Sequence, residues 1–169
     1  MGHGAEAGMR VRIGIVRSST SRFHAMSRGE AYVDDSTEVA MKLLSEMNYE
    51  VERLALVGDD LEGLRGEILK ALSAGFDVVI VIGGTGISKR DVSVEAVRPL
   101  LEKEIEGFGE VFRMESYRRI GFSAVLSRCV AGVKEGKMIM ALPGSPDAVE
   151  TALRLVGREI PHILHVART

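Results

Sequence analysis

The sequence predicts an α/β fold: a three-layer α/β/α sandwich with a mainly parallel sheet and a small antiparallel hairpin. Three observations predict it. Short apolar runs alternate with amphipathic stripes through the first half of the chain, the pattern of parallel strands joined by covering helices. Val78-Val79-Ile80-Val81-Ile82 is apolar and β-branched at every position, as in a strand buried on both faces. Two further apolar runs flank Lys134-Glu135-Gly136-Lys137, where the Glu-Gly pair reads as a hairpin turn.

The elements follow in order along the chain. Val11 to Val16 reads as the first strand, followed by a polar loop from Arg17 to about Asp34. Val39, Leu43, Leu44 and Met47 recur at helical spacing, which predicts an amphipathic helix from Ser36 to Met47. Tyr49 to Leu56 alternates like a second strand. Leu61, Leu64, Ile68, Leu69 and Leu72 form a second helical stripe, with Gly75 as its stop. Val78 to Ile82 is the third strand. Val94, Val97, Leu100 and Leu101 predict a helix after the glycine-rich segment, and further helices are expected over Phe108 to Tyr117 and near Phe122 to Leu126. Cys129 to Val133 and Met138 to Leu142 are the hairpin arms, and helices follow from Asp147 to about Val156 and around Ile160 to Val166. No repeat or linker interrupts this series, so residues 10–169 are expected to form one domain, with 1–9 as a flexible tail.

Composition narrows the function. The chain has 169 residues, 46% hydrophobic and 27% charged, with a net charge of -2. That balance argues against a nucleic-acid or membrane-surface protein. No apolar run approaches the roughly 20 residues that span a bilayer. Cys129 is the only cysteine, which excludes an internal disulfide framework and suits the cytoplasm. A lone cysteine reads as a small buried hydrophobe.

Gly83-Gly84-Thr85-Gly86 follows the third strand. Three glycines in four residues let the backbone approach a ligand closely, and their amides can cradle an anion. Ligands of open α/β sheets bind at this carboxyl edge, so a phosphate-bearing small molecule is the expected ligand. Two familiar phosphate motifs fail. The third glycine of G-x-G-x-x-G would be Lys89, and the G-x-x-x-x-G-K-[ST] pattern does not fit. Asp59 and Asp91 follow the second and third strands and so face one sheet edge. Each also precedes a predicted helix, where helix capping is the alternative role; Asp60 is better placed as a cap alone. His162 and His165 lie a helical turn apart but lack a matching carboxylate or Cys cluster.

The run Gly83 to Val92, Gly-Gly-Thr-Gly-Ile-Ser-Lys-Arg-Asp-Val, resembles the signature of the MogA/MoaB family of molybdenum-cofactor biosynthesis. Other segments resemble that family in the same order: Ser19-Thr20-Ser21-Arg22, which is closest to the MoaB branch, Asp34-Asp35-Ser36, Val57-Gly58-Asp59-Asp60, Gly107-Phe108-Gly109-Glu110, Leu126-Ser127-Arg128 and Leu142-Pro143-Gly144-Ser145-Pro146. Three positions depart from the pattern: Ile82 replaces a Thr, Gly58 a Pro and Thr37 a Gly. The first removes a hydroxyl from the expected site.

The resemblance implies a molybdopterin adenylyltransferase. Such an enzyme uses ATP and Mg²⁺ to attach AMP to the terminal phosphate of molybdopterin and releases pyrophosphate. A partner molybdenum insertase then loads molybdate or tungstate. The resemblance also implies a homotrimer or homohexamer. By it, Asp59 and Asp91 are the catalytic and Mg²⁺-binding acids, while Gly83, Gly84, Thr85 and Gly86 hold a phosphate. Ser19, Thr20 and Ser21 hold another phosphate, or form an ordinary polar loop. Ser127 lines the pterin site. Pro143, Gly144 and Ser145 shape a pocket wall, or form a strand-to-helix turn with Ser145 as cap. Arg128 is a phosphate partner or a solvated charge. The alternative function is a non-catalytic molybdopterin-binding carrier.

Overall fold

The computed structural model describes residues 10–169; the expected tail lies outside the described residues. Its strands are β1 (Arg12–Ser18), β2 (Glu50–Val57), β3 (Val78–Ile82), β4 (Lys103–Glu104), β5 (Val130–Lys134) and β6 (Lys137–Leu142). Its helices are α1 (Thr20–Ser27), α2 (Asp35–Glu46), α3 (Leu61–Ser73), α4 (Ser93–Val97), α5 (Glu106–Ile120), α6 (Pro146–Val156) and α7 (Ile160–Arg168). Short 3₁₀ turns cover Arg98–Leu100, Gly121–Leu126 and Gly157–Glu159. None of the described helices is long and apolar enough to cross a membrane.

The strands form a mixed sheet in the order β2-β1-β3-β6-β5-β4. The first four are parallel, and β5 pairs antiparallel with both β6 and β4. The sandwich follows from β3, whose five side chains are all buried. Val78, Ile80 and Ile82 pack in one core with α2, α5, α6 and α7, whereas Val79 and Val81 pack in another with α3 and α4. Strand alternation thus feeds two helical layers from one apolar run. Burying each such side chain contributes about 1.5–3 kcal/mol.

The hairpin turn is where the sequence places it. Glu135 and Gly136 adopt φ 50° and 71°, the doubly positive conformation of a tight two-residue turn. The hairpin is not an appendage, because β6 is also the parallel partner of β3. Gly75, at φ 88°, ends α3 as expected. The polar loop from Arg17 to Asp34 is corrected in two ways: β1 runs on to Ser18, and α1 fills Thr20–Ser27. That helix buries no residue, so it has no apolar stripe to betray it.

β1, β2, β3 and β6 end at one edge of the sheet. From β1 the chain crosses to β2 on one side, then returns past β1 to β3 on the other. The connections diverge between β1 and β3, the position at which open α/β sheets bind ligands.

Candidate functional site

The glycine segment lies at this divergence. Gly83 and Gly84 adopt φ 102° and 70°. A Cβ on Gly83 would meet the Ser18 carbonyl oxygen and lie 2.6 Å from Arg17 Nη1, and one on Gly84 would lie 2.5 Å from Ser93 Oγ. Only glycine fits either place.

Donors from around the loop claim its carbonyls in turn. Arg17 Nη1 donates to Ile82 O at 2.7 Å, Ser93 Oγ to Gly83 O at 2.6 Å and Ser93 N to Gly84 O at 3.0 Å. Arg128 N donates to Thr85 O at 2.9 Å and Arg128 Nε to Gly86 O at 2.8 Å. In a planar trans peptide the N–H points opposite to the C=O. The N–H groups of Gly84, Thr85, Gly86 and Ile87 therefore point away from these donors, and among the described residues none has a protein acceptor. Such a run of unclaimed amides is an anion cradle.

Arg128 is tied into the protein rather than fully solvated, and it lines the cavity beside Asp91. Besides the two loop carbonyls, it contacts Asp91 O at 3.3 Å and forms a two-point pair with Glu95. That hydrogen bond holds the Glu95 carboxyl below the usual carboxylate range. Arg17 is buried at the end of β1. Its Nε lies 3.0 Å from Asp34 Oδ1, with the N–H directed off that oxygen, so the contact is an ion pair. Burial lowers the Arg17 pKa and Asp34 opposes this, and the guanidinium keeps its proton. Sequence reasoning missed both arginines' contacts, and Ser93 altogether. One signal was available for Arg17: it follows Ile13 and Ile15 at strand spacing, on a face those residues mark as buried.

The two acids take different places. Asp91 does not cap α4, whose N-cap is Val92; its Oδ2 accepts from Ser88 N at 2.8 Å and closes the loop. Asp59 lies at the end of β2, with Oδ2 3.9 Å from Arg90 Nε, and this contact joins it to the tip of the glycine loop. Asp60 occupies the N-cap position of α3, but its side chain makes no capping bond. Among the described residues no three His, Cys, Asp or Glu side chains gather as a metal site.

Asp59 and Thr20 line one open cavity of about 480 Å³ with Phe23, His24, Val57 and Gly58. Thr20 Oγ1 is buried there without a hydrogen-bond partner. Ser19 and Ser21 hydroxyls lie 3.4 Å apart, and Arg22 Nη1 reaches Ser19 Oγ at 3.4 Å. Asp91, Ser88 and Lys89 line a second cavity of about 380 Å³ with Arg128 and Glu95. Ser127 stands apart from both acids' cavities except through Arg128; its Oγ is buried without a partner, in a hollow of about 250 Å³ shared with Arg113 and Arg98. Ser145 caps α6, accepting from Ala148 N at 3.3 Å. Gly144 O accepts from Arg17 Nη2 at 3.2 Å and from Ser36 Oγ at 2.6 Å. The glycine loop, Gly144 and Asp59 thus share one edge; Ser127 lies in a separate hollow, and Ser145, next to Gly144, also borders a depression with Arg119 and Thr151. Ile82 keeps its side chain in the core, so the lost hydroxyl changes packing beneath the loop. Cys129 is buried, and burial pushes its thiol up to about 11, far from a nucleophile's range.

The chain is similar to known proteins in sequence and fold. The family described as a probable molybdopterin binding domain matches residues 14–163. A molybdenum cofactor biosynthesis protein B of Staphylococcus carnosus is 46% identical over 136 residues, 78% of this chain and 80% of that protein. A probable molybdopterin adenylyltransferase of Methanocaldococcus jannaschii is 38% identical over 156 residues, 91% and 92% of the two chains. The crystal structure of the tungsten cofactor synthesizing protein MoaB from Pyrococcus furiosus superposes with a TM-score of 0.80 at 34% identity, covering 95% of this chain and 98% of that one. The sheet topology agrees with these matches, and the chain belongs to the MogA/MoaB family of molybdopterin-binding domains.

Proposed function

We propose that this protein is a molybdopterin adenylyltransferase acting in molybdenum-cofactor biosynthesis. The observation that carries the reading is the glycine loop, whose carbonyls are held inward while four successive amides remain for an anion. An oxygen of the molybdopterin phosphate attacks the α-phosphorus of ATP. The bond from that phosphorus to the bridging oxygen breaks, and pyrophosphate leaves. The barrier is largely one of placing two polyanions in line. The amides of Gly84 to Ile87 receive a substrate phosphate, and Thr20 with Ser19 and Ser21 offers hydroxyls beside the Asp59 cavity.

Mg²⁺ fits the acids present. It takes hard oxygen ligands, commonly one or two carboxylates with substrate phosphates completing the shell. Asp59 has only a long contact to Arg90, and Asp91 keeps Oδ1 without a protein donor among the described residues. These two carboxylates would hold the ion, which when bound offsets phosphate charge. Ser127 would meet the pterin.

Residues 10–169 act as one domain in this reading, in a cytoplasmic homo-oligomer, trimer or hexamer. Exposed Met114, Tyr117, Ile120 and Phe122 support self-association. A molybdenum insertase would consume the product. The test is anaerobic incubation with molybdopterin, ATP and Mg²⁺, read by mass spectrometry. The expected result is adenylylated molybdopterin with equimolar pyrophosphate. Molybdopterin binding without product would make the protein a carrier and overturn the enzyme reading.

A further inference from the structure

One buried guanidinium touches both loops of the site. Arg17 Nη1 holds the carbonyl of Ile82, the last residue of β3, and Nη2 holds the carbonyl of Gly144, just beyond β6. Asp34, buried at the N-cap of α2, anchors the same guanidinium, and Ser36 in the first turn of that helix donates a second bond to Gly144 O. The loops touch beneath it: a Cβ on Gly144 would lie 3.4 Å from Gly83 Cα and 3.4 Å from Arg17 Nη1.

Gly144 O is drawn inward, so the Ser145 N–H points outward, and among the described residues it has no protein acceptor. It stands at the N-terminus of the 11-residue α6, an end that favours anions. An apolar side chain at position 17 would fill the space yet leave the buried Ile82 carbonyl without a donor and Gly144 O with Ser36 Oγ alone. Only a planar fork reaches both at once.

We propose that Arg17, oriented by Asp34, is a positioning residue that sets the glycine loop against the Gly144–Ser145 peptide, so that both sets of amides meet the phosphates of one substrate. This rests on the adenylyltransferase reading. Lysine at position 17 keeps the charge opposite Asp34 but has no fork. Arg17→Lys is therefore expected to lower kcat for AMP transfer about 10–100-fold, since a misplacement near 1 Å has that effect, with a smaller change in KM for ATP. Arg17→Met is expected to fall further. Hydrogen exchange, read amide by amide by NMR without ligand, is expected to rise about tenfold at the bonded loop amides of Gly83 and Ala148 while those of α3 and β2 stay unchanged.

Wild-type kcat and loop exchange in Arg17→Lys would overturn the proposal. So would exchange that rises evenly across the sheet, which marks a core stabiliser. If Arg17→Lys does not fold, Asp34→Asn, which keeps an acceptor for Thr37 N–H, is read in the same way. Absence of product from the wild type would sink the adenylyltransferase reading alone, and the exchange pattern would then decide the positioning role.

Discussion

Asp59→Asn and Asp91→Asn are each expected to cut AMP transfer to molybdopterin by roughly 10²–10³-fold, the scale of losing one group that stabilises developing charge. Neither should unfold the protein. The side-chain amide in Asp91→Asn would still offer an oxygen to the Ser88 N–H, the one hydrogen bond Asp91 accepts through its side chain. Asp59 loses only a 3.9 Å pairing with Arg90, whose side chain is 80% exposed, and such pairs contribute about 0–1 kcal/mol. The thermal midpoint should therefore move by no more than about 2–4 °C. Steady-state kinetics beside calorimetry separates the outcomes. Intact turnover in both variants would remove the acids from the chemistry, and helix capping would not explain their presence, since neither caps a helix.

Gly83→Ala is expected to destabilise the fold by about 2–5 kcal/mol, combining a strained backbone with overpacking. At φ 102° an L side chain is strained, and its Cβ would press on the backbone carbonyl of Ser18, which cannot rotate aside. Gly66→Ala is the matched control. Gly66 lies within α3 with nothing within 4 Å of its Cβ position, so alanine there should stabilise by about 0.5–1 kcal/mol. Urea denaturation of both variants gives the difference. Equal midpoints would mean that the Gly83 backbone relaxes freely and that the loop is less rigid than its bonding implies.

The parts of the fold that are legible in the sequence are those where one force dominates. β3 is apolar at every position because both faces are covered, so its bounds, Val78–Ile82, are readable to the residue. Gly75, the Glu135-Gly136 turn and the Ser145 cap are readable because local backbone chemistry decides them. α1 is not, since it buries nothing and its opening Thr-Ser-Arg looks like a loop. The two-residue β4 is also invisible; it exists only because β5 is there to pair with it.

The site divides in the same way. The glycines and the two acids stand out as residue types at strand ends. Their supporting donors do not. Arg17 contacts carbonyls far along the chain, and Arg128 reaches back from beyond α5 to Thr85, Gly86 and Glu95. Such partners depend on tertiary approach, which no local pattern encodes. Ser127 shows the same limit: its motif marks it as a site residue, but only the fold sets it in its own hollow beside Arg113.

The most direct test of the central claim, that the amides of Gly84 to Ile87 receive a substrate phosphate, is an amide-resolved NMR titration with ATP and Mg²⁺. The largest shifts are expected at Gly84, Thr85, Gly86 and Ile87, with smaller ones at Asp59 and Ser145. Saturable binding that leaves those four amides unmoved, with shifts clustered instead at the cavity between β4 and α7 that Ile105, Val133 and His162 line, would contradict it.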